Sequence, residues 1–255
     1  MMKRILFATD LDNTLLFSHR HRQPGDRCAE LWNGAEQGFF TPETVDLLPQ
    51  AARQVRLLPI TTRSIAQYQR IRWPAGALPR EALTANGAVL LRDGAIDRDW
   101  YDQSWELVRA HQGALRDLLE RISAREDVTS ARIVENMYVY AACSDAAAAE
   151  RCAAAWAQDA PFQMEVSGRK VYWPPPGSDK GTARRRAAGR YRPERILCAG
   201  DSVIDVPMLR RADLAMIPDG TLLPALPAER TLVCQENVRF PDFVLRTVLA
   251  QAGPG

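Results

Sequence analysis

The chain has 255 residues, 46% of them hydrophobic, with 33 basic and 31 acidic side chains that leave a net charge of only +2. This supplies a core large enough for two domains, and the balanced charge gives no reason to expect a nucleic-acid partner. The first apolar run is too short for a signal peptide or membrane span, nothing later qualifies, and five cysteines without Cys-x-x-Cys spacing read as free thiols, so a cytoplasmic protein with no membrane partner is expected.

A buried strand is predicted over residues 4–9. It ends in Asp10-Leu11-Asp12-Asn13-Thr14, and two carboxylates two residues apart can lean toward one site as the chain turns away. The duller alternative is an Asp/Asn-rich turn with no chemistry. Residues 17–40 read as a connector too long for a compact domain, either functional or disordered. They carry His19, Arg20, His21, Arg22, Arg27, Trp32, Phe39 and Phe40, which suit a gating flap or a partner surface. Thr41 then caps a helix that opens with Pro42 and runs to 54. A strand at 55–60 ends in Thr61-Thr62-Arg63, a helix follows over 64–71, and a strand at 82–84 reaches Thr84-Ala85-Asn86-Gly87-Ala88. Strand and helix alternate, which implies parallel pairing and right-handed crossovers.

Residues 90–170 interrupt that rhythm. A hairpin turns at Asp93-Gly94, residues 105–122 carry apolar side chains at helical spacing, 131–142 read as strand, and 145–157 as an alanine-rich helix. Residues 163–166 pair with 171–173. The expected organisation is an α/β core made of 1–89 and 171–255, with an α+β cap inserted at 90–170. In the second half of the core, Asp179 caps a helix to 190, within which Arg184-Arg185-Arg186 reads as a solvated face. A strand at 195–199 ends in Gly200-Asp201-Ser202-Val203-Ile204-Asp205. A helix at 205–211, strands at 214–217 and 231–234, a helix at 240–250 and a frayed tail at 253–255 complete the chain.

Three strands thus end in polar groups, and Lys180 opens a helix between two of them. In an open α/β sheet, ligands bind outside the carboxyl ends of the strands. Each group taken singly has another reading. Asp201 and Asp205 suit an N-cap and a first-turn carboxylate, Thr61 and Thr62 suit turn hydroxyls, and Lys180 suits a solvated surface position. The chain has only three lysines (Lys3, Lys170 and Lys180) among many arginines, so a retained Lys180 points to a need for a compact point charge.

Asp-x-Asp-x-Thr, a hydroxyl after the second core strand, a lone lysine and Gly-Asp-Ser-x-x-Asp, in that order, resemble the four motifs of the haloacid dehalogenase-like phosphohydrolases. The segment that opens at Thr84-Ala85-Asn86-Gly87-Ala88 resembles the C2 cap of the Cof, sucrose-phosphate and trehalose-phosphate phosphatase branch. That branch commonly has Thr-Gly-Arg where this chain has Thr61-Thr62-Arg63, so the motif-two hydroxyl is Thr61 or Thr62. The Asp-Leu-Asp-x-Thr-Leu start, Thr-Thr-Arg and the long early loop are more loosely similar to phosphatases of bacterial tellurite-resistance gene neighbourhoods.

The resemblance implies a Rossmann-like parallel-sheet core with a C2-type cap. It also implies a Mg²⁺-dependent phosphatase acting on a small phosphorylated metabolite through an aspartyl-phosphate. Asp10 would be the nucleophile and Asp12 the general acid and base. Thr61 would donate to the transferring phosphoryl group, and Lys180 would neutralise its charge. Asp10, the backbone carbonyl of Asp12 and Asp201 would hold the metal, with Asp205 as a further ligand or as support through water. Thr62, Arg63, Asn86, Arg169 and Lys170 are the candidates for substrate contact, because arginine grips a second anionic group bidentately. His19 and His21 are not expected to bind the metal, since a Mg²⁺ site needs no imidazole. A phosphomannomutase-like phosphotransferase and a non-catalytic binding module are the alternatives. Retention of Asp10, Asp12, Lys180, Asp201 and Asp205 together speaks against the second.

Overall fold

The computed structural model describes residues 4–156 and 162–253, so the predicted helix end at 157 and the last two residues of the tail lie outside the described residues. In chain order the first elements are β1 (Ile5–Thr9), β2 (Phe17–Ser18), β3 (Arg27–Trp32), β4 (Ala35–Phe40), α1 (Pro42–Gln54), β5 (Arg56–Pro59) and α2 (Ile65–Gln69). Then come β6 (Glu81–Thr84), β7 (Val89–Arg92), β8 (Ala95–Ile96), α3 (Arg98–Val108), α4 (Gln112–Ser123), β9 (Val128–Val134), β10 (Tyr138–Cys143), α5 (Ala146–Ala154), β11 (Glu165–Ser167) and β12 (Lys170–Trp173). The chain ends with α6 (Lys180–Tyr191), β13 (Arg195–Ala199), α7 (Val206–Leu209), β14 (Leu214–Ile217), β15 (Thr231–Val233) and α8 (Phe240–Ala252).

The core is a parallel sheet in the order β15-β14-β13-β1-β5. β1 lies between β13 and β5, in register from Ile5 opposite Arg195 to Thr9 opposite Ala199. It is flanked on both edges and covered on both faces, which is why it reads as an unbroken apolar run. Phe7 packs with Leu48 and Ala51 of α1 and Val244 and Leu245 of α8 on one face. Leu6 and Ala8 pack with Ala183 and Ala187 of α6 on the other. The strand ends at Asp10, where the sheet runs out of partners on the carboxyl side. β6, β7 and β8 form a separate antiparallel sheet, joined to the parallel one by a bridge between Ile60 and Leu83.

The cap is an antiparallel sheet in the order β11-β12-β10-β9. Its Val139, Ala141, Val171 and Trp173 pack on Leu115, Leu118 and Ile122 of α4 and on Ala149 and Cys152 of α5. Alternation then sends Tyr138, Tyr140, Lys170 and Tyr172 to the opposite face. β12 completes this sheet, so Val171, Tyr172 and Trp173 belong with the cap, and the chain returns to the core after them rather than at 171.

Four local expectations differ from the structure. The stretch 17–40 is neither loop nor disorder but an antiparallel sheet in the order β2-β4-β3. It is held to the core by Arg239, which donates to both oxygens of buried Asp26 at 2.9 and 3.1 Å. Residues 105–122 form parts of two helices, α3 and α4, separated by a tight turn at His111 and its neighbours. Buried Val108 and Leu115 are seven residues apart, two helical turns, so the apolar period runs straight through the break. Residues 131–142 are two strands, because Glu135 and Asn136 take left-handed backbone (φ 48° and 65°) and turn the chain back in a hairpin. Finally, the arginine run is not a solvated face. Arg184 is buried, and the Arg186 guanidinium sits 3.8 Å over the Trp100 ring and donates to Ser104 Oγ at 2.8 Å, tying α6 to α3. Among the described residues no helix is long and apolar enough to cross a membrane.

Candidate active site

Asp10 leaves the tip of β1 with its amide donating to the Ala199 carbonyl at 2.9 Å, which extends the ladder to β13 by one rung. The side chain therefore emerges beside the loop after β13. Lys180 is the first residue of α6, held there because the Asp179 carboxylate accepts from Thr182 N at 2.8 Å as N-cap. Its ammonium, 2% exposed, donates to Asp10 Oδ1 at 2.5 Å and to Asp205 Oδ1 at 2.6 Å. The other oxygen of Asp205 accepts from the Asp201 amide at 3.2 Å and from the Ser202 amide and hydroxyl at 3.1 Å each. This packing demands Gly200, since a Cβ there would lie 2.5 Å from Asp205 Cβ. Asp201 is held in turn by Asn13 Nδ2 at 3.3 Å and Thr14 Oγ1 at 3.5 Å. Asp10 and Lys180, 170 positions apart, and Asn13 and Asp201, 188 apart, thus converge on one spot.

Asp10, Asp201 and Asp205 can each offer a ligand oxygen within 4.8 Å of the others. Burial pushes the Asp10 carboxyl well above the usual carboxylate range; Lys180 pulls it back in part, while Asp205, Asp201 and Asp12 push it further. Burial and Asp205 likewise hold Asp201 up, to about 7. Burial opposes the charge on Lys180, but the two carboxylates in contact with it win, so it keeps its proton. Three carboxylates thus crowd around one ammonium, with Asp10 and Asp201 held back from full ionisation or in need of a further cation, on hard oxygen donors only. That donor set fits a Mg²⁺ ion, which would supply the missing positive charge and tolerate water as its remaining ligands.

Asp12 lies in a different environment. Arg63 grips it with two hydrogen bonds, Nε to Oδ2 at 3.0 Å and Nη2 to Oδ1 at 2.8 Å. Burial would raise its pKa, but Arg63, with help from Lys170 and Lys180, holds it below the usual range. Arg63 continues to the Gln67 carbonyl at 3.2 Å and to Glu30 Oε2 at 2.9 Å, and Glu30 is also bound by Arg70. The guanidinium expected to touch substrate is therefore already committed on two sides to protein carboxylates.

Of the two threonines, Thr61 is fully buried, with its hydroxyl accepting from the Arg63 amide at 3.2 Å, and Thr62 is half-buried beneath the cap. Asn86 is buried too: its amide donates to the Thr61 carbonyl at 2.8 Å and its side chain to the Ser178 carbonyl at 3.4 Å. It braces the turn after β5 against the turn before Lys180. The cap's ring-bearing face closes over this rim. Tyr138 Oη donates to the Thr62 carbonyl at 2.7 Å. Arg132, Tyr140, Tyr172 and Glu165 stand opposite one another in successive strands, forming one row across the sheet. The Arg132 guanidinium lies 4.6 Å over Tyr140, and the Tyr140 and Tyr172 ring centroids are 5.4 Å apart. Lys170 is next to this row on the same face, whereas Arg169 is exposed on the turn between β11 and β12, where its carbonyl accepts from the Cys143 amide at 2.8 Å. His19 and His21 are exposed and belong to no metal-binding group among the described residues.

No protein-family model matches the sequence, and no curated protein does. Solved structures do match along almost the whole chain. The sucrose-phosphatase of Synechocystis, solved with sucrose and phosphate, is 18% identical, with 98% of each chain covered and a TM-score of 0.67. The C-terminal domain of trehalose-6-phosphate phosphatase from C. albicans is 16% identical, covering 99% of this chain and 93% of its own, at a TM-score of 0.60. A haloacid dehalogenase-like hydrolase from B. subtilis is 15% identical, covering 94% and 98%, at 0.57. The chain has the capped haloacid dehalogenase-like fold. On that fold the rim that gathers Asp10, Lys180, Asp201 and Asp205 lies at the carboxyl ends of β1 and β13, where open α/β sheets bind their ligands.

Glu30, Tyr138, Tyr140, Tyr172 and Glu165 were not among the residues expected at this site. Periodicity held the signal for the cap tyrosines, since they alternate with apolar residues along β10 and β12. Glu30 and Glu165 gave none, because they reach the site only through the folding of the early hairpin and of the cap.

Proposed function

We propose that this protein is a Mg²⁺-dependent phosphatase for a small phosphomonoester of the sugar-phosphate type. The observation that carries the reading is the Lys180 ammonium bridging Asp10 and Asp205, with Asp201 within ligand distance of both. Lys180 orients the Asp10 carboxylate, which attacks phosphorus as the bond to the leaving oxygen breaks. Asp12 gives that oxygen its proton. Water then attacks the aspartyl-phosphate, Asp12 takes the water's proton, and phosphate leaves with Asp10 regenerated. Thr61 and Lys180 stabilise the charge on the phosphoryl oxygens. A Mg²⁺ ion held by Asp10, Asp201 and the Asp12 carbonyl, with Asp205 supporting, would offset the repulsion between an anionic nucleophile and an anionic phosphate.

The sugar-phosphate class is supported by the cap and by the neighbours. Tyr140 offers a ring face, backed by buried Tyr172, and Arg132, Lys170 and Glu165 offer polar hydrogen-bonding groups on the same side of the sheet, a surface suited to a polyhydroxylated leaving group. Solved structures with this fold include phosphatases of sucrose phosphate and trehalose 6-phosphate. The test is phosphate release from a panel of phosphorylated sugars, nucleotides and small acids, with Mg²⁺ and with EDTA. Metal-dependent release from sugar phosphates supports the reading; a folded protein that releases no phosphate from any of them in Mg²⁺ contradicts it.

A further inference from the structure

Four charged side chains alternate in sign away from the candidate site: Asp12, Arg63, Glu30 and Arg70. Arg63 lies between two carboxylates, and Glu30 lies between two guanidinium groups, at 2.9 Å from Arg63 and 2.8 Å from Arg70. Glu30 belongs to neither the parallel sheet nor the cap. It is brought in by β3 of the early hairpin, and its side chain is only 4% exposed. Placing a carboxylate there is costly unless both partners are in position.

The hairpin is built around this residue. The β3–β4 register is irregular on both sides of Glu30, between Cys28 and Glu30 and again between Glu30 and Leu31. Such irregularities re-aim a side chain. Directly opposite is Gly38, where a Cβ would lie 3.2 Å from Glu30 Cβ and 3.3 Å from its Oε2. Two breaks in register and a glycine make room for one buried acid. Behind it the Arg72 amide donates to the Ala29 carbonyl at 2.7 Å, which fixes β3 against the segment after α2. At the hairpin tip, Trp32 is half exposed, with Arg70 stacked 4.4 Å over its ring.

We propose that Glu30 is a positioning residue for the reaction, holding the far side of Arg63 so that the near side presents the Asp12 carboxylate to the leaving-group oxygen. The inference rests on the phosphatase reading above. It assigns the early hairpin a part in proton transfer to the leaving group, through Arg63. Without Glu30, Arg63 keeps Asp12 and the Gln67 carbonyl but loses its buried counter-charge, and the guanidinium is free to shift.

The test uses the leaving group. Glucose 6-phosphate leaves as an alkoxide that needs a proton, whereas p-nitrophenyl phosphate leaves as a stable phenolate that does not. kcat/KM reports steps through release of that group. Glu30→Gln should lower kcat/KM for glucose 6-phosphate by about tenfold and for p-nitrophenyl phosphate by less than about threefold, a fraction of what full general-acid catalysis supplies. In an Arg63→Gln background the same substitution should change neither value further, because Glu30 acts through Arg63. If Glu30→Gln fails to fold by circular dichroism, Glu30→Asp keeps the charge, withdraws it by one methylene, and should show the same split between substrates. An equal loss on both substrates, or additive losses in the double variant, would overturn the positioning role alone. A wild type that releases no phosphate from these two compounds or from any sugar phosphate of the panel in Mg²⁺ would overturn the phosphatase reading and this role with it.

Discussion

Asp10 and Asp12 leave the same strand two residues apart, yet their surroundings push them in opposite directions. Asp10 faces inward, where burial and the neighbouring carboxylates drive its pKa up against the pull of the Lys180 ammonium. Asp12 faces outward, 42% exposed, on a guanidinium that drives its pKa down. A nucleophile needs the ionised form and a general acid needs the proton, so each is displaced from its proposed task. A cation held among Asp10, Asp201 and Asp205 would cure the first displacement. Arg63 fixes the orientation of Asp12 while holding its proton affinity down, and Asp12 as it stands is already suited to act as the base toward water. In the proposed mechanism one side of the site receives metal and phosphate, and the other is restrained by side chains from outside the sheet.

The comparison breaks most completely at Asp10. Asp10→Asn keeps the shape of the side chain and removes the attacking oxygen anion, so turnover on the best panel substrate should fall by about a thousandfold or more with the circular dichroism unchanged. Lys180→Met tests the same side for stability. It strands Asp10 and Asp205 without their shared, 2% exposed partner, and urea unfolding at neutral pH should show a loss of about 3–5 kcal/mol. Arg63→Gln on the other side should cost less in the same assay, because Asp12 can turn to water and Glu30 keeps Arg70. Asp201→Asn should leave the fold intact and raise the Mg²⁺ concentration for half-maximal activity by about tenfold or more. An unchanged metal titration would contradict that ligand assignment.

The smallest effect is on the pH dependence of stability. Burial holds Glu165 up to about 7. A carboxyl raised on folding binds more protons in the native than in the unfolded state between its two pKa values, so it makes stability fall as pH rises from about 4.5 to about 7. Glu165→Gln should flatten that part of the profile, read as the melting temperature across this window. An unchanged slope would mean that Glu165 is solvated.

The two sides also differ in how much of them the sequence showed. Asp10, Lys180, Asp201 and Asp205 were legible because each stands at a strand end or helix start whose local signals are strong: apolar runs, Gly200, and Asp179 as cap. Thr41, Pro42 and the strand at 214–217 were legible for the same reason. The Asp12 side was less so. Arg63 was seen, but its partner Glu30 lies on a hairpin that reads as loop, since β3 and β4 are mixed polar strands broken by register irregularities around Gly38. The cap was legible as a sheet with helices, while its internal turns were missed. Glu135-Asn136 turns a hairpin without a glycine, and the α3–α4 break falls where the helical period is preserved.

The most direct test of the central claim is to look for the phosphoryl group on Asp10. Wild-type protein turning over its best panel substrate in Mg²⁺ is quenched in acid within milliseconds, digested, and its peptides are mapped by mass spectrometry. A phosphorylated peptide carrying residues 4–20, with the group on Asp10 and absent from Asp10→Asn, is the predicted result. Steady release of phosphate with Asp10 unmodified at every quench time would contradict the account, because water would then be attacking the substrate directly.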